Sequence, residues 1–440
     1  MTLTDRPANR PTTLTAPSEG AAGRLVELVS PFFVGSPPIR IRAWDGSTAG
    51  AADAPTVVVR DPMALRRLVL HPGELGLAQA YVTGELDIEG DLLDALPTIC
   101  RATREHGASA TLGYATLAGA ARTAHRLGLL GQLWGRPPRP PASQARLRGR
   151  LHSARRDQDA IAHHYDLSND FYALILDQHM AYSCAYFTSA DPDYTLEDAQ
   201  RDKLDLVCRK LGLQRGGRHL DIGCGWGSLC LHAAEHYGVD VVAVTLSAEQ
   251  RDFVRARVHE RGLREQVDVR LQDYRDVEDG PFHTVSSIEM GEHVGAANYP
   301  TFTEQIHRQL RPGGRVLIQQ MSRATRPGGG PFIESFIAPD MHMRPVGETV
   351  ALMEQSGLEV RDVHAMREHY VSTIRAWYAT FEANQDKVVA LVGEEVARVW
   401  RLYLVGAALA FEEGRMGVDQ ILAVKPATDG RSLMPSVRTA

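Results

Sequence analysis

The chain has 440 residues, 44% of them hydrophobic and 23% charged, which is enough for a large core and two domains. A net charge of −6 excludes nucleic acid as an obvious partner of the whole chain, and no apolar run reaches the roughly 20 residues of a membrane-spanning helix. The opening MTLTDRPANRPTTLTAP lacks the apolar core of a secretory signal. The five cysteines (Cys100, Cys184, Cys208, Cys224 and Cys230) are odd in number and lack metal-ligand spacing, so reduced thiols and a cytoplasmic location are expected.

Residues 1–22 are rich in Thr, Pro and Ala and read as a disordered tail. Residues 23–105 read as a small α/β domain. Ile39–Trp44 alternates like a half-buried strand, Thr56–Arg60 is a second strand, and Met63–Leu70 and Leu75–Val82 have helical spacing. Asp87–Asp91 reads as a turn and Leu92–Arg104 as a helix. No catalytic cluster stands out, and the domain reads as a structural or lipid-docking module. Residues 106–156 carry Arg122, Arg126, Arg136, Arg139, Arg146, Arg148, Arg150, Arg155 and Arg156 with few acids, around Leu127–Trp134 and a Pro137–Pro141 break. Two readings stand side by side: a solvated basic linker, and a patch for an anionic phospholipid membrane surface.

From 157 to 427 strand and helix alternate, and 428–440 reads as a loose tail. The centre is His219–Gly227, an apolar run entering a glycine-rich turn, followed by a helical stretch from Ser228 to Tyr237 that Gly238 closes. Gly223, Gly225 and Gly227 allow positive φ and close ligand approach, and Asp221 sets a carboxylate beside them. The absence of Lys-Ser/Thr after the glycines argues against a phosphate-binding P-loop. Further strands are Val239–Val244, Val267–Leu271, Val285–Ile288, Arg315–Gln320 and Gln420–Val424. Ser247 and Gln250 fit a helix capping box. A parallel sheet puts Gly223–Gly227, Thr245–Gln250, Asp273, Glu289–Glu292 and Gln319 at strand carboxyl ends, where ligands bind. The second strand has its only acid, Asp240, near its start, which argues against a dinucleotide. Ser322–Pro345 reads as a long loop, Thr373–Gln385 as a helix and Val388–Phe411 as a long helical packing segment.

Asp221-Ile-Gly-Cys-Gly-Trp-Gly227 and Val244-Thr-Leu-Ser-Ala-Glu-Gln250 resemble the cofactor motifs of the cyclopropane fatty acid synthase family of S-adenosylmethionine-dependent methyltransferases. His164–Asn169, Tyr182–Tyr186, Met290–Gly295 and Glu368–Tyr370 extend the likeness, and Leu75–Gly84 resembles the leading domain of its longer members. The resemblance implies an α/β, Rossmann-like class I methyltransferase domain: a mostly parallel seven-stranded sheet with helices on both faces, after a small α/β N-terminal domain. It implies that Tyr182 and Ser183 touch the methionine part of S-adenosylmethionine, and that Gly223, Gly225, Thr245, Leu246 and Gln250 line the cofactor cleft. Gln272 and Asp273 would then lie near the adenine. Cys184, Glu292 and Tyr370 match positions that in the family hold bicarbonate.

The chain departs from the family where a His-Thr-Ile stretch is replaced by Gln319-Gln320-Met321, and where Glu289 stands in place of a usual glycine. With Gly328–Glu334 and Ala338–Pro345, these departures resemble the actinobacterial branch that forms methylene-branched chains from oleoyl substrates, a separate reductase then giving the 10-methyl acid. Methyl transfer to a cis alkene leaves a carbocation that needs a dry pocket and a base. Glu289, or an anion held by Gln319, is the expected base, with Tyr165, Phe171, Tyr186 and Tyr370 as candidate aromatic faces. The expected product is a methylene-branched acyl chain. The alternatives are a cyclopropane ring from the same substrate and a small-molecule methyltransferase. The expected setting is the inner face of the membrane, peripherally bound, with a homodimer among the assemblies considered.

Overall fold

The structure, a computed structural model, describes residues 20–30, 33, 36–105, 125, 137–145, 156 and 168–437. Most of the arginine-rich stretch, nearly all of the N-terminal tail and the His164–Leu167 part of the first family motif, with Tyr165, lie outside the described residues. The chain divides into two compact units, Met1–Arg139 and Pro140–Ala440.

The first unit is built on a four-stranded sheet of β1 (Arg40–Arg42), β2 (Thr48–Ala49), β3 (Thr56–Val59) and β4 (Leu86–Ile88), in the order β2-β1-β3-β4. Only the β1–β3 pair is parallel. Among the described residues four helices accompany it, α1 (Ala21–Val29), α2 (Met63–Leu70), α3 (Glu74–Val82) and α4 (Leu92–Glu105). Ala21, Ala22, Leu25, Ile41, Val59 and Ala80 share one core, so Ala21 and Ala22, read as part of the tail, pack with this unit. Asp87 belongs to β4 and not to a turn, because its carboxylate takes the Arg60 guanidinium at 2.7 Å while its backbone pairs with Val58.

The second unit opens with α5 (Asn169–Ile175) and α6 (Leu196–Leu211). Thr195 and Asp198 cap α6 reciprocally, and Gly212 ends it in the left-handed region. Next come β5 (Arg218–Ile222), α7 (Ser228–Tyr237), β6 (Asp240–Thr245), α8 (Ala248–Glu260), β7 (Val267–Leu271), β8 (Phe282–Ile288), α9 (Tyr299–Gln309) and β9 (Leu310–Ser322). The chain closes with α10 (Pro331–Phe336), α11 (Val346–Gln355), β10 (Glu359–Ala365), α12 (Arg367–Ala383), α13 (Gln385–Glu412) and β11 (Gly417–Val424). The sheet order is β10-β11-β9-β8-β5-β6-β7. All neighbours are parallel except β11, which runs against both β9 and β10. This is the seven-stranded, mostly parallel sheet expected.

Both faces of the sheet are covered, as the period of two requires. Leu317 and Leu422 pack into one core with Leu204, Leu229 and Val254, while their neighbours Val316, Ile318, Ile421 and Ala423 pack into the other with Phe302, Ile306 and Met353. Several elements differ from the sequence reading. β10 and α11 were not expected, and the Ser322–Pro345 loop contains the helical turn of α10. The Gln385–Glu412 helix is broken at Gly393, whose φ of 80° and ψ of 161° are not helical. Among the described residues no helix is long and apolar enough to cross a membrane.

Candidate active site

The glycine turn after β5 is pinned by the end of β6: the amides of Gly223 and Cys224 both donate to the Val244 carbonyl, at 2.9 and 3.1 Å. Gly223 and Gly225 have φ of 78° and 52°, values that side chains rarely adopt. A Cβ on Gly223 would stand 2.8 Å from Met290 Cγ, whereas one on Gly225 would meet only open space. That space is a cleft lined by Tyr182, Ser183, Asp221, Gly223, Gly225, Thr245, Leu246, Gln250, Gln272, Asp273 and Glu289, together with Lys203, Trp226, Met290 and His293. The ten expected cofactor residues and Glu289 therefore share one cavity at the carboxyl ends of the parallel strands.

Asp221 is held from behind. Ser286 donates to its Oδ1 at 2.7 Å, and the buried His219 ring contacts Thr284 and Ser286 at 2.9 and 3.0 Å. Burial drives the His219 pKa down to about 4, so this ring is neutral, and burial raises Asp221 to about 6. The other Asp221 oxygen, Oδ2, is buried without a hydrogen-bond partner among the described residues. Ser247 caps α8 by accepting from the Gln250 amide at 3.2 Å. The Gln250 side chain does not close the expected capping box; its Oε1 takes the Thr245 hydroxyl at 2.8 Å, leaving the amide nitrogen available at the cavity wall. At the opposite rim Asp273 accepts from the Arg275 amide at 2.9 Å and its guanidinium at 2.8 Å, and Gln272 donates to the Asp276 carbonyl at 2.8 Å.

Glu289 closes the cleft at the end of β8. Its carboxylate accepts from the Cys184 amide at 2.8 Å, Gln319 Nε2 at 2.8 Å and the Tyr370 hydroxyl at 2.5 Å. Gln319 is itself held by Gln420, whose Nε2 donates to it at 3.0 Å. Glu289 has φ of 50°, a left-handed backbone that costs a non-glycine residue about 1–2 kcal/mol. Burial raises its carboxyl above the ordinary value, opposed by Tyr370, the Cys184 amide, Gln319 and the Lys203 charge. The Cys184 thiol points elsewhere, to the carbonyls of Ala185 and Met366, and burial raises its pKa far above the usual range, which removes it as a nucleophile.

Glu292 does not join this cage of donors. It sits on a single 3-10 turn (Gly291–His293), fully buried, and neither carboxylate oxygen has a hydrogen-bond partner among the described residues. Burial first, then the Glu289 charge, pushes its pKa up to about 8. The folded protein keeps Glu292 protonated while the unfolded chain ionises above about 4.5, so Glu292 erodes stability as pH rises between those values. Urea denaturation from pH 5 to 8.5 is therefore expected to show Glu292→Gln gaining on the wild type with rising pH, by an amount on the order of a few kcal/mol. Parallel profiles for the two proteins would contradict this account.

Among the aromatic side chains nearby, Tyr182, Trp226 and Tyr274 line the cleft. Tyr182 packs within 5.3 Å of Trp377 and 6.0 Å of Trp400, and Tyr172 within 4.3 Å of Trp226, whose indole N–H donates to Asn169 at 2.8 Å. Phe171 is fully buried against Trp400, whereas Tyr186 packs on His364 and His369 instead. Two residues escaped the sequence reading. Tyr403, on the helix read as packing, accepts from the Tyr182 hydroxyl at 3.0 Å. Lys203, on α6, is 1% exposed and donates to Ser183 Oγ at 2.8 Å. Its signal was a cation at i+4 from buried Ala199 and i−4 from buried Val207, on the apolar stripe of the helix.

Sheet order and a glycine-turn cleft at the strand ends define a class I methyltransferase fold. The family model for mycolic acid cyclopropane synthetase matches residues 152–421. A probable fatty acid methyltransferase of Pseudomonas putida is 38% identical over 91% of this chain and 95% of its own length. Tuberculostearic acid methyltransferase UfaA1 of Mycobacterium tuberculosis is 34% identical over 92% of this chain and 91% of its own. Among solved structures, mycolic acid cyclopropane synthase CmaA1 complexed with SAH and CTAB aligns with a TM-score of 0.57 and 34% identity, covering 60% of this chain and 97% of that one. The chain belongs to the mycolic acid cyclopropane synthetase family.

Proposed function

We propose that this protein transfers a methyl group from S-adenosylmethionine to the cis double bond of an oleoyl-type phospholipid acyl chain, giving a methylene-branched product. The cleft fits the donor. Gly225 leaves room against the backbone, Asp221 offers a buried carboxylate oxygen, and Gln250 presents an amide where a ribose needs a hydrogen-bond donor. When bound, S-adenosylmethionine supplies an electrophilic methyl group. The chain's own residues must then stabilise a carbocation on the lipid and remove a proton from it.

Glu289 carries this reading. It is an acid on left-handed backbone, tied down by three donors and lining the cleft. Cys184, Gln319 and Tyr370 direct those donors at Glu289, so a bicarbonate ion does not fit among them and the built-in carboxylate takes the place of a free anion. Burial raises both Glu289 and Glu292, but hydrogen bonds and the Lys203 charge favour the ionised form of the first, while burial and the Glu289 charge keep the second neutral. Transfer forms a carbon–carbon bond from the methyl to one alkene carbon as the sulfur–methyl bond breaks, its electron pair staying on the sulfur of S-adenosylhomocysteine, and leaves the cation on the other alkene carbon. A hydride shift moves the cation to the methyl-bearing carbon, and Glu289 accepts a methyl proton as the electron pair of that C–H bond forms the exocyclic double bond. Tyr182, which lines the cleft with Trp377 and Trp400 packed behind it, supplies an aromatic face toward a cation. The arginine-rich stretch before the catalytic unit supports docking on an anionic phospholipid surface.

Incubation with methyl-labelled S-adenosylmethionine and oleoyl phospholipid vesicles tests the reading. Mass spectrometry of the released acyl chains is expected to find the label in an exocyclic methylene. Label in a ring would make the product a cyclopropane, and an unlabelled lipid beside a labelled soluble acceptor would overturn the lipid substrate.

A further inference from the structure

A buried ammonium needs a reason. Lys203 has one hydrogen-bond acceptor among the described residues, Ser183 Oγ at 2.8 Å, although an ammonium carries three donors. It is 1% exposed, yet it lines the same cleft as Asp221 and Ser183. Lysines are almost never so buried unless paired, and a desolvated cation with two unused donors at a cavity wall is a receptor for an anion. Burial is the largest influence and holds the Lys203 ammonium below its ordinary range, while the carboxylates of Glu289, Asp177 and Asp221 work the other way. None of the three accepts a hydrogen bond from it among the described residues. Ser183 adds a hydroxyl whose position the ammonium sets.

We propose that Lys203, with the Ser183 hydroxyl it holds, receives the carboxylate of the methionyl part of S-adenosylmethionine. This rests on the cofactor reading above and deepens it. An amino-acid zwitterion needs both charges answered, and the cleft offers an unpartnered carboxylate oxygen on Asp221 and an under-used ammonium on Lys203. The pairing requires a cation at position 203, which explains why a core position on α6 holds a lysine and not a leucine.

Calorimetry with S-adenosylhomocysteine and its decarboxylated analogue tests this on the full-length protein. The wild type is expected to bind S-adenosylhomocysteine at least about tenfold more tightly than the analogue, as removal of a charge-assisted hydrogen bond implies. Lys203→Met is expected to abolish that preference while binding the analogue about as the wild type does. Ser183→Ala keeps the cation, and is expected to reduce the preference without abolishing it. Equal affinity of the wild type for both ligands would overturn the proposal while leaving the cofactor reading intact, a result that needs no variant to fold. Equal losses for both ligands in Lys203→Met would assign the lysine to balancing Glu289 and Asp221 and would also overturn it. Failure of the wild type to bind either ligand would instead remove the cofactor reading itself.

Discussion

Glu289→Gln is expected to lower turnover on oleoyl vesicles about 10²- to 10⁴-fold, the range that general acid–base groups contribute. Glutamine keeps the size and the left-handed backbone of the residue but cannot take a proton. Affinity for S-adenosylhomocysteine should change little, because the hydrogen bonds of Glu289 run to Cys184, Gln319 and Tyr370 rather than to residues expected to hold the nucleoside. Glu289→Gly removes the carboxylate and relieves the backbone, leaving three donors around a space the size of a small anion. That variant should be inactive alone and regain part of its turnover with added bicarbonate or formate. Glu289→Gln retaining more than a tenth of wild-type turnover would exclude Glu289 as the base.

The glycine turn should fail in two different ways at positions two residues apart. Gly223→Val sets a β-branched residue at a φ of 78° and its Cβ against Met290 at 2.8 Å. The backbone and the crowding together should cost about 2–5 kcal/mol of stability, read from urea denaturation, with S-adenosylhomocysteine binding lost. At Gly225 the φ is 52° and an added Cβ meets nothing within 4 Å. Asparagine tolerates that backbone, so Gly225→Asn should lose less than about 1 kcal/mol of stability. It should still weaken binding strongly, because its side chain enters the space left for the ligand. Equal stability losses at both positions would mean that the turn is packed throughout and holds no ligand against Gly225.

The parts of this fold that were legible in the sequence are those governed by local rules. The helix Ser228–Tyr237 begins and ends as read because Gly227 and Gly238, both left-handed, mark its two ends. The buried parallel strands announce themselves as apolar runs, but β10 does not. Glu359-Val-Arg-Asp-Val-His-Ala365 is an edge strand whose one partner is β11, so half-exposed charges interrupt its pattern. Asp87 was misread for a related reason: acids signal turns until a cross-strand cation such as Arg60 holds them in place. Within the site, motif spacing located the cofactor cleft because strand ends converge by topology. The resemblance grouped Cys184, Tyr370 and Gln319 with Glu289, but their direct bonds to its carboxylate were not legible, since they lie 105, 81 and 30 residues away. Lys203 was hidden among the other charges of α6, from Glu197 to Lys210, none of which is buried.

Four of the five cysteines, Cys184, Cys208, Cys224 and Cys230, are buried in the catalytic unit, and burial holds their thiols far above the range in which they ionise. A thiol that does not ionise reacts sluggishly with peroxide, alkylating drugs and electrophilic lipids. An enzyme that methylates lipid acyl chains works beside the aldehydes that unsaturated lipids release on oxidation. At these four positions slow thiol chemistry protects the fold from that debris.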